Sequence, residues 1–334
     1  MRQLQQLAAK FVLVALLSGC ATQTVRAPLP GEPVADGVSL LRGSFVPGTQ
    51  PDGNTVLLRG RDGLVVVDTG RHAAHTARII EAARASGQQV AAIVNTHWHL
   101  DHVAGNAALR EAFPQLEVRA SEAIDQALHG FLADYRAQLQ GLVAKPGNAT
   151  PAAVAGWREE IARIDAGAQL RPTQPVTASG PVSLGGRRMR LGLERNAVSG
   201  GDVWLFDPAT RTLVAGDLVT LPVPLFDTAC SSGWQEALVR LDGIGFARLV
   251  PGHGAVMDHA QFGVYRGAFD RLLACAESDA SADACKAGWL HDAQSLIPPQ
   301  DIALADPLLD YYITQVLRAD PVRRVKHCHK EPRE

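Results

Sequence analysis

The sequence predicts an α/β fold, and three observations carry that reading. In the first half of the chain, apolar runs of strand length alternate with stripes at helical spacing, the pattern of βα units. Four of those runs, at 64–67, 90–94, 212–214 and 248–250, stop directly at a polar motif. From 176 to 219 the chain returns to short strands broken by Gly180 and Gly185-Gly186. The composition, 46% hydrophobic and 20% charged over 334 residues, supports a sizeable core. The length admits two domains, but α/β units of about 200–250 residues are common. A net charge of −2 gives no electrostatic reason for nucleic acid, which demands a basic face.

The N-terminus reads as a targeting segment. Arg2 and Lys10 precede an apolar run at 11–17, too short to span a bilayer. It ends in Leu17-Ser18-Gly19-Cys20, which resembles the lipobox of bacterial lipoproteins. That resemblance implies removal of residues 1–19, lipidation of Cys20 and a periplasmic chain anchored in a membrane. Ala21 follows the cysteine, which under the enteric sorting rule implies the outer membrane. Residues 20–37, with Pro28, Pro30, Gly31 and Pro33, read as the lipidated cysteine and a semi-extended tether.

Next come runs at 54–58 and 64–67, separated by Gly60-Arg61-Asp62-Gly63, a hairpin signal. Residues 73–86 are alanine-rich, carry Ile79 and Ile80, and stop at Gly87 as a helix should. The run at 90–94 predicts a buried strand, 105–113 a short helix ended by Pro114, and 116–119 another strand. Residues 121–170 break the alternation. Ile124, Leu128, Phe131, Tyr135 and Leu139 form one helical stripe; Val154, Trp157, Ile161, Ile164 and Ala168 form another, with Thr150 as N-cap and Pro151 at the first helical position. This helical insertion is either a cover for a sheet edge or a lid shaping a pocket, with Trp157 and Phe131 in the core or on the pocket wall. After Ser232-Gly233 a helix is expected over 234–241, and residues 259–334 look mostly helical.

The chemistry concentrates in His97-Trp98-His99-Leu100-Asp101-His102, directly after the strand at 90–94. Imidazole and carboxylate are preferred ligands of borderline divalent metals. His97 and His99 alternate along an extended segment and can share one metal. Asp101 and His102, where the chain turns, can reach a second.

This H-x-H-x-D-H pattern resembles the signature of the metallo-β-lactamase superfamily. Asp68-Thr69-Gly70, Ala215-Gly216-Asp217 and Pro251-Gly252-His253-Gly254 resemble further motifs of that family, in family order and each at a strand end. The resemblance covers about residues 38–258. It implies an αββα sandwich with His97 and His99 in a first metal site, Asp101, His102 and His253 in a second, and Asp217 bridging. It also implies zinc and hydrolysis of a small ester, lactone, lactam, thioester or phosphoester, with Asp101, His97 and His99 as catalytic residues. The expected organisation is a signal peptide at 1–19, a tether at 20–37, a metallo-β-lactamase-type domain at 38–258 holding the insertion at 121–170, and a helical extension at 259–334 packed on the domain.

One family ligand is missing. The third histidine of the first site normally stands in H-T-x-G-D, but aligning Gly201-Asp202 with its G-D places Val198 at that position. Valine does not coordinate metal. Either the first site is weakened, leaving one tightly bound zinc, or Glu194 or Asn196, which share the parity of Val198, substitutes. A second functional reading follows: an accessory lipoprotein that holds metal and binds a periplasmic protein partner, with little or no hydrolysis.

An even set of cysteines in an exported chain predicts disulfides. Of three connectivities, proximity selects Cys275 with Cys285 and leaves Cys230 with Cys328. A metal role for Cys230 is the alternative, although the family's cysteine ligand occupies the place held here by Asp217.

Overall fold

The protein is described here by a computed structural model covering residues 27–45 and 49–328. The expected signal peptide, Cys20 and residues 329–334 lie outside the described residues. Seven strands form the first sheet in chain order: β1 (Glu32–Ala35), β2 (Val38–Leu41), β3 (Thr55–Arg59), β4 (Leu64–Val67), β5 (Val90–Val94), β6 (Glu117–Ala120) and β7 (Gln174–Pro175). The second sheet holds β8 (Gly180–Leu184), β9 (Arg187–Glu194), β10 (Asp202–Asp207), β11 (Thr212–Thr220) and β12 (Arg248–His253), ordered β12-β11-β10-β9-β8.

Alternation along the strands builds the sandwich. Val56, Leu58, Val65 and Val67 face inward, where they share a core with Leu191, Val203, Leu205 and Val250 of the second sheet. Their neighbours Leu57, Leu64 and Val66 face outward against α1 (Ala73–Ala85) and α3 (Asn106–Ala112), which follows the short turn α2 (Leu100–Val103). The outer face of the second sheet packs on α8 (Ser231–Asp242), α9 (His259–Glu277) and α10 (Ala282–Asp292) through Trp234, Phe262, Phe269 and Trp289. The layers are therefore α, β, β, α, as the sequence implies.

The insertion is helical, with α4 (Ala123–His129), α5 (Phe131–Ala144), α6 (Pro151–Asp165) and α7 (Gly167–Leu170) between β6 and β7. Thr150 caps α6 by accepting from the Ala153 amide, with Pro151 at the first turn. The insertion packs on Trp98, Leu100 and Val103, so it sits on the ligand-bearing turn rather than on a bare sheet edge. Trp157 is half-buried against that cluster, whereas Phe131 is 41% exposed and not a core residue. The last elements among the described residues are α11 (Ile302–Tyr311), a π-helical turn (Tyr312–Leu317) and α12 (Pro321–Arg324). Among the described residues, no helix is long and apolar enough to cross a membrane.

Two expected boundaries need correction. The tether does not run to residue 37, because β1 pairs with β2 across Asp36-Gly37. Gly37 takes a φ of +65° there, a left-handed backbone that glycine adopts without strain. The helix starting at 259 is not an extension: α9 is the second sheet's own covering layer, with Phe262, Tyr265 and Phe269 fully buried. Cys230 pairs with Cys328 and Cys275 with Cys285, which rules out the metal role for Cys230.

Candidate metal centre

Three strand ends and the interior of a fourth strand deliver the polar groups. β4 runs into Asp68, β5 into the segment bearing His97 and His99, and α2 carries Asp101 and His102. Asp217 lies on β11, and His253 closes its parallel neighbour β12. Two glycines admit the crowding. A Cβ on Gly252 would stand 1.9 Å from Asp217 Oδ1, and one on Gly53 2.4 Å from His102 Cε1.

Hydrogen bonds around the ligands fix three imidazole tautomers. Asp68, in the left-handed region with φ 61°, accepts from the Thr96 amide at 2.7 Å and from Thr96 Oγ1 at 2.8 Å. The Thr96 hydroxyl proton is thereby committed, so His97 Nδ1 at 3.1 Å must donate to it. Asp68 Oδ2 also accepts from His102 Nδ1 at 2.8 Å. The remaining nitrogens, His97 Nε2 and His102 Nε2, are buried and have no hydrogen-bond partner among the described residues. Thr228 does the same for His99. Its hydroxyl donates to the Val198 carbonyl at 2.9 Å and so accepts from His99 Nε2 at 2.8 Å, leaving Nδ1 as that ring's lone pair. Pinning the outer nitrogen in this way orients metal-binding histidines. Asp68→Asn is accordingly expected to weaken metal binding by about 10- to 100-fold, measured by chelator competition; unchanged affinity would show that Asp68 does not set the rings.

The inward-facing atoms fall into two groups that could hold a metal: His97, His99 and Asp217, and Asp101, His102 and His253. Around the second, His253 Nε2 lies 3.0 Å and His102 Nε2 3.5 Å from Asp101 Oδ2. Asp217 Oδ1 lies 3.2 Å from His102 Nε2 and 3.7 Å from His253 Nε2. Tetrahedral ligands about 2.0–2.1 Å from zinc stand roughly 3.3 Å apart, so these four histidine–carboxylate separations suit neighbouring ligands of one tetrahedral ion. Asp217 Oδ2 turns the other way, 3.7 Å from His97 Nε2. Both Asp217 oxygens are buried with no hydrogen-bond partner among the described residues.

The electrostatics ask for a cation at this point. Burial opposes charge on His102, but Asp217, Asp101 and Asp68 outweigh it and hold that imidazole well above its usual pKa. Burial also acts against the Asp217 carboxylate, yet His102 and His253 keep its pKa below the ordinary range. His97 is pushed well below the usual imidazole value by burial and by His102 and His99, so it stands as a neutral ligand. A divalent ion would replace the His102 proton, since metal binding releases protons from its ligands. The residues fit the metal.

The missing histidine is not replaced by either expected candidate. Glu194 accepts from Trp204 Nε1 at 3.0 Å and pairs with Arg240 at 2.7 Å. Asn196 lines a separate groove together with Glu194, Cys230 and Arg240. Val198 itself is fully buried in the apolar core beneath the second sheet. Thr228, whose hydroxyl joins His99 to the Val198 carbonyl, is the polar side chain at this side of the site.

A further layer has no signal in the sequence. Arg71 Nη2 lies 3.5 Å from Asp101 Oδ1, while Nη1 pairs with Glu160 of α6 at 2.6 Å. Both Arg71 and Glu160 are buried. The insertion thus reaches a residue of the second group through one buried guanidinium.

Comparisons with known proteins agree with this geometry. Residues 48–273 match the family model described as the metallo-beta-lactamase superfamily. No curated protein matches the sequence. Among solved structures, a metallo-beta-lactamase family protein from Thermus thermophilus is similar at 19% identity and TM-score 0.53, covering 84% of this chain and 94% of that one. A metallo beta lactamase from Hirschia baltica is similar at 16% identity and TM-score 0.51, covering 72% and 97%. A metallo-beta-lactamase from Pontibacter korlensis gives 18% identity and TM-score 0.50, covering 70% and 94%. The family match spans both sheets' ligand-bearing strands, and the chain belongs to the metallo-β-lactamase superfamily.

Proposed function

We propose that the chain is a metal-dependent hydrolase of a small ester, lactone, lactam, thioester or phosphoester, lipid-anchored through Cys20 on the periplasmic side, with zinc as its metal. The observation that carries this reading is Asp217, whose two buried oxygens face different ligand groups. Asp101, His102 and His253 with Asp217 Oδ1 would hold the tight site. His97, His99 and Asp217 Oδ2 would hold a weaker one. When bound, such metals polarise the scissile group and activate water. The chain's own part is to orient the rings through Asp68 and Thr228, to hold Asp101 between His253 and Arg71, and to keep bulk water out with the insertion. The two disulfides support an oxidising compartment, and the lipobox residues support the anchor.

Turnover of nitrocefin, lactones, thioesters and aryl phosphates, with and without added zinc, tests the reading. Metal-dependent hydrolysis of at least one class is expected. No turnover by fully metallated protein would leave an accessory metal-binding lipoprotein, the reading favoured by the buried Val198.

A further inference from the structure

The cleft above the ligand groups has a volume of about 450 Å³. Trp98, Phe131 and Leu132 line one side, and Leu225, Leu304 and Leu308 line the other. Trp98 and Phe131 meet with ring centroids 5.6 Å apart, and Phe131 remains 41% exposed, an apolar surface left open at the mouth. Leu304 and Leu308 lie beyond residue 273, where the family match ends. The walls therefore combine the ligand-bearing turn, the insertion, the loop at Leu225 and a helix beyond the family match.

The polar groups of the cleft are asymmetric. Among the described lining residues, Arg71 is the only Arg or Lys, and Glu160 and Asp101 already hold its two terminal nitrogens. Away from the metal ligands, no described side-chain cation of the lining is left to receive an anionic substituent. Asp227, in contrast, is an exposed carboxylate on the cleft wall. Its Oδ2 accepts from the buried Tyr312 hydroxyl at 2.6 Å, and no cation pairs with it among the described residues. Burial, then Asp227 itself, raises the Tyr312 phenol well above its usual pKa, so Tyr312 stays a neutral donor that fixes the carboxylate without cancelling its charge.

We propose that this cleft takes an uncharged acyl ester, thioester or lactone with an apolar tail, and that Asp227 rejects substrates carrying an anion beyond the scissile bond. The proposal rests on the hydrolase reading for its chemistry but not for its binding preference. Each methylene seated against the walls should tighten binding about three- to fourfold. A carboxylate or phosphate near Asp227 meets like charge in a partly desolvated site and should bind at least about tenfold more weakly. Phosphomonoesters and lactams with a ring carboxylate are the classes disfavoured.

Calorimetric binding of two non-hydrolysed probes to the zinc-loaded full chain tests this. Octanamide and its ω-carboxylate, suberic monoamide, share head and chain and differ only at the far end. Octanamide is expected to bind at least about tenfold more tightly than suberic monoamide. Asp227→Asn keeps the shape and is expected to narrow that gap to within about threefold, with octanamide binding unchanged as the check on folding. Failure of octanamide to bind, equal or tighter binding of the carboxylate by the wild type, or a gap that survives Asp227→Asn would overturn the proposal. If the probes discriminate as expected while no ester is hydrolysed, the cleft assignment stands and the hydrolase reading falls.

Discussion

Asp217→Asn is expected to strip the protein of tightly held metal. The residue is the one group shared by both ligand clusters, with Oδ1 3.2 Å from His102 Nε2 and Oδ2 3.7 Å from His97 Nε2. An amide keeps the shape but offers one oxygen, no charge, and an NH2 group where a ligand must stand. Metal affinity should fall by at least about 100-fold, the upper range seen for lost supporting groups and a lower bound for a lost ligand. Hydrolysis, where it depends on the site, should fall in step. The effect separates from misfolding by its zinc dependence. Zinc at about 100 times its Kd adds roughly 2.7 kcal/mol to the wild type's stability; the variant should melt near the metal-free wild type and gain almost nothing when zinc is added. Elemental analysis after dialysis gives the stoichiometry. Retention of wild-type metal content by Asp217→Asn would remove Asp217 from the site.

The parts of this centre visible in the sequence are those carried on strands or directly after them. β4 and β5 are short apolar strands that stop at a polar cluster, β12 ends on His253 itself, and β11 carries Asp217 directly after its apolar start, so local pattern locates both the fold and the six ligand candidates. The groups that orient those ligands have no such signature. Thr228 reaches His99 across 129 positions and Glu160 reaches Arg71 across 89, and each is an ordinary residue in its own segment. Asp68 is in plain view within Asp-Thr-Gly, but its role emerges only once the fold sets it beside Thr96 and His102. The N-terminal strand is obscured by Pro30 and Pro33, although Asp36-Gly37 marks its turn. Alternation fails at the missing ligand for a specific reason. β9 ends at Glu194 and Asn196 takes a φ of 58°, so strand parity does not extend to Val198. Glu194 keeps the right parity and still turns to Trp204 and Arg240.

That break in the strand is also what makes Val198→His informative. The loop is held rigidly: Asp202 accepts from the Ser199 amide at 3.0 Å and from Ser199 Oγ at 2.9 Å, and the Val198 carbonyl is fixed by Thr228. An imidazole at this fully buried position must either stay among apolar side chains or turn toward the ligand group of His97, His99 and Asp217. Staying costs about 1–3 kcal/mol for an unsatisfied polar group. Turning supplies a third imidazole to a site that has two, and zinc–nitrogen bonding then compensates the burial. The wild type is expected to hold close to one tight zinc per chain, set by Asp101, His102, His253 and Asp217, and Val198→His to approach two. Because the added imidazole's burial is compensated only when metal is present, the variant should be less stable than the wild type in chelator and recover in zinc. Two tight metals in the wild type would mean that Val198 does not weaken the first site. One metal in the variant, with instability that zinc does not relieve, would mean that the side chain at 198 belongs to the core alone and that His97 and His99 serve the substrate rather than a second ion.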